Sequence, residues 1–562
     1  MSSEEKNYQN LKGSSAKRPL QSLFVRQSTG LVREISLFDS FIFNLAANPI
    51  GLALVFVLGF EIGLFPGGDP VLAIILVGIV SLFIAATYAQ LSASFPRSGG
   101  DYIFNSRILH PSLGFGFNLS LSFWEWLTAS LSLSFITTLG LSPVTVMIGY
   151  LTNRSDLIGI GTSLASPTNV FVIGTIFNAL ISIFFLIGTK RTIRLVDAFY
   201  IASLIGVLLI IVSLLGSSPA HFQNSLNAFL HSIGSSQTYE GIIQAAQTNG
   251  MSLPSSYSFY LLPAMMGVVS IEAIWYFWSS YLGGEIKRGS SVRRQSTAML
   301  GAGLFNGLLT LVAVVLYLNV IGKGFITAFS YLLTSAPSLV PFAPATVSGD
   351  QIVIFASLAT SNSLIAILIP VLFIGWSIVV VVDYAMQPVR SVFAWSMDRL
   401  IPSKFSDVSP RFHTPVFPVI LGALIMEAGL VAQVAFPNAV LLIFTASIVA
   451  PAFSSMFMTG LSGVLLPLRK KALFRNTPIA KFKIAGIPLI SITGAVTSGY
   501  ILFLVYVFFS YPNFGLNTPF MEFLAFGLNL VGIVLYFVIR EYRRRRRSGI
   551  DVRFAFEEIP PE

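Results

Sequence analysis

Glu272 stands inside an apolar stretch, Met266-Gly267-Val268-Val269-Ser270-Ile271-Glu272-Ala273. An ionisable group at membrane depth is costly and marks a functional site by default. Here it would exchange a proton or select a cationic group. Glu125, in Phe123-Trp124-Glu125-Trp126, and Asp383 are set in apolar surroundings in the same way. Asp383 either faces a water-filled pathway or pairs with Arg390 at the membrane edge. Glu427 reads better as a buried structural carboxyl, and Glu61 as a solvated one near the outer interface. A second kind of chemistry is written in Asn48-Pro49-Ile50-Gly51. Pro49 removes a backbone donor and Gly51 lowers helix propensity, so the helix is expected to unwind there. Exposed peptide groups at such a break can bind ions or polar solutes. The alternative is a simple kink that packing tolerates.

Other chemistries are excluded. The 562 residues contain no cysteine, which removes disulfides, thiol catalysis and zinc–thiolate sites. The four histidines, His110, His221, His231 and His413, lie in polar or connecting stretches. No Walker motif, His/Asp cluster or soluble ATPase domain is present. No enzyme activity, metal or cofactor is therefore expected, beyond a coupling ion, H+ or Na+.

The elements that must position these groups are membrane helices. Hydrophobic residues make up 54% of the chain and charged residues 10%, with a mean hydropathy of +0.78. A soluble domain is about 25% charged. Twelve apolar runs are long enough to span, beginning near Leu37, Val71, Gly114, Val170, Val196, Tyr257, Ala298, Asn362, Val416, Val440, Pro488 and Pro519. The runs are continuous, not alternating, which excludes a β-barrel. Of the 34 Lys and Arg residues, all but Arg154 and Lys323 fall on one side of these spans. That asymmetry predicts a cytoplasmic location for both termini. The start of the chain, with Glu4, Glu5 and Lys6 and no apolar core, is not a signal peptide.

The chain divides into a cytoplasmic tail (1–33), a first five-helix set (34–216), an outer loop (217–256), a second set (257–468), a cytoplasmic loop (469–487), two further helices (488–540) and a basic tail (541–562). The broken first span and the Glu272-bearing sixth span each open a five-helix set, as an inverted repeat requires. A short helix is expected around Thr238–Gln247, and Asn153-Arg154-Ser155 has the form of a glycosylation site. The Arg543–Arg547 run is expected to contact anionic lipid headgroups, not nucleic acid.

Three strings resemble the amino acid–polyamine–organocation (APC) permease superfamily. The first is Tyr88-Ala89-Gln90-Leu91, followed by Phe95-Pro96 and Gly99-Gly100-Asp101-Tyr102, with Gln90 where the family commonly has Glu. The second, Gly284-Glu285-Ile286-Lys287, lacks the asparagine-proline that usually follows. The third is the most specific: Arg390, Asp398 and Pro402 at family spacing, then Thr414-Pro415 before the ninth span.

The resemblance implies an all-α polytopic membrane protein of twelve transmembrane helices. It would have the LeuT-like five-plus-five inverted repeat, with spans one and six broken around the substrate, plus two peripheral helices. The family's first-span glycines fall at Ile50-Gly51-Leu52, and its sixth-span glycine at Trp275 or Tyr276. By that likeness the backbone of Ile50, Gly51 and Leu52, beside Asn48, would hold a substrate carboxylate. Carbonyls near Ser270 and Ile271 would take the ammonium group, with Glu272, Ala273 and Glu125 completing the site. Glu272, Asp383 and Gln90 are candidates for coupling or gating, and Arg97–Tyr102 and Gly283–Glu285 for gate elements. The expected function is amino acid transport in the plasma membrane, coupled to protons or sodium. The alternatives are polyamine or organic-cation exchange, or a membrane sensor that binds amino acids without moving them.

Overall fold

In the computed structural model, which describes residues 30–253, 256–340, 351–436, 451–545 and 556, ten helices are long and apolar enough to cross a bilayer. They are Leu37–Leu64, Pro70–Ser94, Pro111–Leu151, Pro167–Leu186, Thr189–Leu215, Val292–Ser335, Ser363–Met397, Val416–Ala435, Leu489–Ser510 and Pro519–Arg545. The sixth expected run is the shorter apolar helix Phe259–Ala273. The tenth, expected from Val440, begins outside the described residues and continues as Phe453–Arg469. Most of the 1–33 tail, and the basic tail beyond Arg545, also lie outside them. Among the described residues the only strands are Lys483–Ile484 and Ile487–Pro488, a two-residue antiparallel pair. Apolar side chains such as Ile176, Val212, Leu424 and Leu530 are exposed along the helices, as lipid contact requires.

The helix starts follow from local chemistry. Pro70, Pro111 and Pro167 occupy first helical positions, where a missing N–H costs nothing. Ser36 and Asp39 form a capping box at the start of the first span, and Asp69 accepts from the amides of Val71 and Leu72. In the 217–256 loop a helix at Tyr239–Thr248 matches the expected position, and a second, Pro219–Ser232, accompanies it. That second helix buries Phe222, Leu226, Phe229 and Leu230, a helical stripe within a polar-looking segment.

The loops that carry the basic residues meet at one end of the bundle. The Ile35 amide donates to Glu285 O at 3.0 Å and the Lys287 amide to Ile35 O at 2.9 Å. The Gly99 amide donates to Tyr281 O at 3.1 Å, and Lys190 Nζ to Glu34 O at 3.1 Å. At the other end the Ser258 amide donates to Gly67 O at 2.8 Å and Asn513 Nδ2 to Leu64 O at 2.6 Å.

A short helix at the basic end, Asp101–Ile108, is anchored by polar side chains. Asn118 Nδ2 donates to Asp101 Oδ1 at 2.9 Å, and the Ser455 hydroxyl donates to Asp101 Oδ2. Tyr102 OH donates to Asp398 Oδ2 at 2.7 Å, and Arg107 pairs with the same carboxylate at 2.7 Å. Burial pushes the Asp101 carboxyl up to about 6, against the opposing pull of Ser455 and Asn118. A carboxyl whose folded value lies above its unfolded one favours folding when protonated, and loses that contribution as pH rises through the folded value. Thermal unfolding in detergent should therefore show stability rising as pH falls from about 7 to about 5, and D101N should flatten that slope. Identical pH profiles for the two proteins would place the titration elsewhere.

Candidate functional site at the broken spans

The first span leaves helical geometry at mid-depth. Helix Leu37–Ala46 stops, Ala47–Pro49 is non-helical, and Pro49, extended at φ −66° and ψ 143°, starts a new helix at Ile50–Phe56. The interruption is tied to its neighbours by side-chain amides. Asn306 Nδ2, on the seventh span, donates to Asn48 O at 2.5 Å and to Leu45 O at 3.3 Å, while Tyr200 OH donates to Asn306 Oδ1 at 2.8 Å. Asn48 Nδ2 donates to Tyr276 OH at 2.8 Å, leaving Asn48 Oδ1 buried without a partner. Asn44 accepts from the Ser279 amide at 2.8 Å and donates to Ala298 O at 3.2 Å. The first amides of the restarted helix, at Ile50 and Gly51, are ones that a helix leaves without an intrahelical acceptor. Ile50, Gly51 and Leu52 are all buried.

The sixth span also stops inside the bundle, but later than Ser270. It is helical from Leu262 through Ala273, then runs irregularly to a 3₁₀ turn at Trp278–Tyr281. Gly267 alone does not break it, because one glycine costs a helix only about 1 kcal/mol. Ser270 therefore sits within the last turn, and its hydroxyl bonds Met266 O at 2.6 Å and Tyr500 OH at 2.6 Å, away from the first span. Ile271 O accepts from Trp275 Nε1 at 2.5 Å. The irregular segment is strongly aromatic: Phe277 stacks on Tyr88 at 3.7 Å between centroids, and Trp275 stacks on Phe453 at 6.2 Å.

Of the expected site residues, Asn48, Glu272 and Ala273 line one cavity, together with Tyr276, Ser81 and Thr310. Its volume of about 20 Å³ leaves room for about one water. Among the described residues no hydrogen bond reaches the Glu272 carboxylate. Glu61 was missed by the reading that placed it in solvent. It is 3% exposed, ends the π-helical turn Val57–Glu61, lies within Coulombic reach of Glu272, and has a buried oxygen with no partner. Its position at the end of the half-span that restarts after the break is the signal that could have found it.

The remaining candidates lie elsewhere. Glu125 is buried outside the cavity, within Coulombic reach of Asp101. Asp383 does not pair with Arg390. Its two carboxylate oxygens are buried without partners, and Arg390 instead takes Glu285 at 2.7 and 3.2 Å and Thr189 Oγ1 at 2.6 Å. The arginine lies seven residues further along the helix, where a carboxylate from another segment is nearer. Gln90 donates to Ala86 O at 3.0 Å and Thr493 Oγ1 at 3.2 Å, joining the second span to the eleventh. Glu427 is the satisfied structural carboxyl expected of it, accepting from Thr175 at 2.6 Å and Asn178 at 2.8 Å.

Gly51 has a packing reason of its own. A Cβ there would meet Trp376 Cδ1 at 2.5 Å and Cγ at 2.6 Å, and Trp376 is fully buried. Thermal unfolding of G51A should show a loss of about 1–3 kcal/mol, the usual result of overpacking. The mid-span control G307A, where a Cβ meets nothing within 4 Å, should stay near wild type. Equal losses in the two variants would remove the Trp376 contact as the cause.

A model of the family described as Amino acid permease matches residues 41–550. Comparison with curated proteins gave no match. Members of that family are transporters with an all-helical, LeuT-like fold, in agreement with the helices above, and the match runs from the first span past the last. This chain is a multi-pass membrane protein and belongs to the amino acid permease family.

Proposed function

We propose that the chain is a secondary carrier that moves an amino acid across the cell membrane by alternating access, with proton exchange at Glu272. The observation that carries this reading is the meeting of two interrupted helices at a cavity with a carboxylate in its wall. Amides at Ile50 and Gly51, at the positive end of the restarted half-helix, suit a substrate carboxylate. Last-turn carbonyls of the sixth span, from Ser270 to Ala273, suit an ammonium group. Burying a bare charge is costly and a buried carboxyl neutralises instead, which favours a proton over sodium at Glu272 beside Glu61. The two five-helix sets, 34–216 and 257–468, would be the moving units, with 488–540 peripheral.

The cavity has room for about one water and not for an amino acid, so this conformation is the closed one on the proposed reading. Opening requires the aromatic segment after Ala273 to move. At the basic end, Arg390 with Glu285 and Thr189, and Arg107 with Asp398 and Tyr102, would be the latches. The excess of basic residues supports a cytoplasmic location for that end. Polyamine exchange has less support, because Glu272, Glu125 and Asp383 do not line one cavity.

Proteoliposome uptake of a labelled amino acid panel at varied pH and sodium tests the proposal. Wild type should accumulate at least one amino acid down a proton gradient. E272Q should retain counterflow and lose about tenfold of the gradient-driven accumulation, a typical coupling magnitude. Unchanged accumulation with an unchanged pH profile would take Glu272 out of the mechanism, and uptake of polyamines alone would replace the substrate class.

A further inference from the structure

A second concave site lies at the basic end, distant from the cavity between the broken spans. It has a volume of about 360 Å³ and is lined by Glu285 and by three segments. These are Val32–Ile35 before the first span, Ile187–Arg194 where the fifth span begins, and Arg411–His413 before the ninth. Four cations, Lys190, Arg191, Arg194 and Arg411, line it against two carboxylates, Glu34 and Glu285. Glu285 is already engaged by Arg390. Lys190 reaches Glu34 O at 3.1 Å and Asp39 Oδ2 at 3.4 Å. Arg191, Arg194 and Arg411 are exposed and form no salt bridge with any described residue.

The walls are built into the fold. Gly188 adopts φ +118°, and a Cβ there would lie 3.0 Å from Phe412 O, so the two basic segments touch at a point only glycine suits. His413, at φ +52°, is held by its amide bonding Ser409 O at 2.8 Å and by Nδ1 against Gly30 O at 3.2 Å. Guanidinium groups free of salt bridges and converging from two segments on one hollow, with Arg411 lying over the Phe412 ring, are unlike Arg543–Arg545, consecutive arginines in the last turn of one helix.

We propose that this hollow binds a phosphate-bearing ligand, its phosphate held by Arg191, Arg194 and Arg411. Planar guanidinium forks match phosphate oxygens in bidentate fashion, and unpaired ones are available for that pairing. The fifth span begins at Thr189, on the pocket wall, which sets the hollow at headgroup depth. The phosphate then comes either from a phosphorylated lipid headgroup or from a soluble phosphate ester. The proposal does not depend on the transport reading, since its test reads binding.

The full-length protein in nanodiscs of phosphatidylcholine, with and without phosphatidylinositol phosphate, is compared by native mass spectrometry and thermal unfolding. The same protein is titrated with soluble inositol trisphosphate. Wild type should retain the phosphorylated lipid or bind the soluble ester. R191Q/R194Q/R411Q should weaken that binding by about tenfold for each arginine the phosphate uses. R543Q/R544Q/R545Q should leave it near wild type. Lipid retention without ester binding assigns the site to the membrane, and the reverse assigns it to a soluble ligand. Should the glutamine triple variant not fold, R191K/R194K/R411K, which keeps the charge and loses the fork, should still bind more weakly than wild type. Binding that survives both pocket variants, or that only the tail variant abolishes, would overturn the proposal, as would no binding of either probe.

Discussion

The structure depends on satisfying peptide groups where a membrane helix is interrupted. No water is at hand inside a bilayer to hydrogen-bond a free carbonyl or amide, so an interruption survives only where protein groups take over. Here asparagine side chains do so. Asn306 caps the carbonyls of Leu45 and Asn48, Tyr200 orients Asn306, and Asn44 receives the Ser279 amide from the irregular segment after the sixth span. One network thus holds both interruptions and the seventh span together. Gly51 completes it sterically by admitting the Trp376 ring. The break is a defined structural state with its own partners, which is what a site made of bare peptide groups needs.

The basic end is closed by a different interaction. Arg390 with Glu285, and Arg107 with Asp398, are pairs in which both partners are almost wholly buried. Removing one member of such a pair strands a charge at a cost of about 3–5 kcal/mol, whereas the intact pair adds little net stability. Their value lies in geometry. Arg390 joins the eighth span to the segment after the sixth and, through Thr189, to the fifth. Tyr102 and Arg107 join the loop helix to the end of the eighth span. These are contacts whose loss would be felt by several elements together.

Much of this was legible in the chain. The apolar runs, the clustering of basic loops at one end and the break at Pro49 follow from hydropathy, charge and proline chemistry. Glu427 was read as a buried structural carboxyl, and Thr175 and Asn178 satisfy it. Other features depend on tertiary packing that no local pattern carries. The sixth span continues to Ala273 because Met266–Ala273 contains no strong breaker, and the aromatic run that follows finds stacking partners in Tyr88 and Phe453. Gln90 turns to Thr493, more than four hundred residues away in sequence. Glu61 looked interfacial from its place near the end of a span, yet the π-helical turn and the packing of helix Lys323–Ser335 against it bury it.

On the proposed reading, the placement of Glu61 and Glu272 would tie protonation to shape. The two carboxyls belong to the two interrupted spans, and each is removed from solvent, so their mutual repulsion is screened far less than at a surface. On the proposed reading, a proton on either carboxyl is compatible with the packing seen here, and charge on both would act across the first and sixth spans, which the Asn48–Tyr276 hydrogen bond joins. A rearrangement that parts these spans would lower the repulsion and break that hydrogen bond, enlarging a cavity that has room for about one water. On the proposed reading, proton loss and substrate access are therefore not two events needing a separate link. They act on the same pair of helices, and only the relative position of those helices has to change.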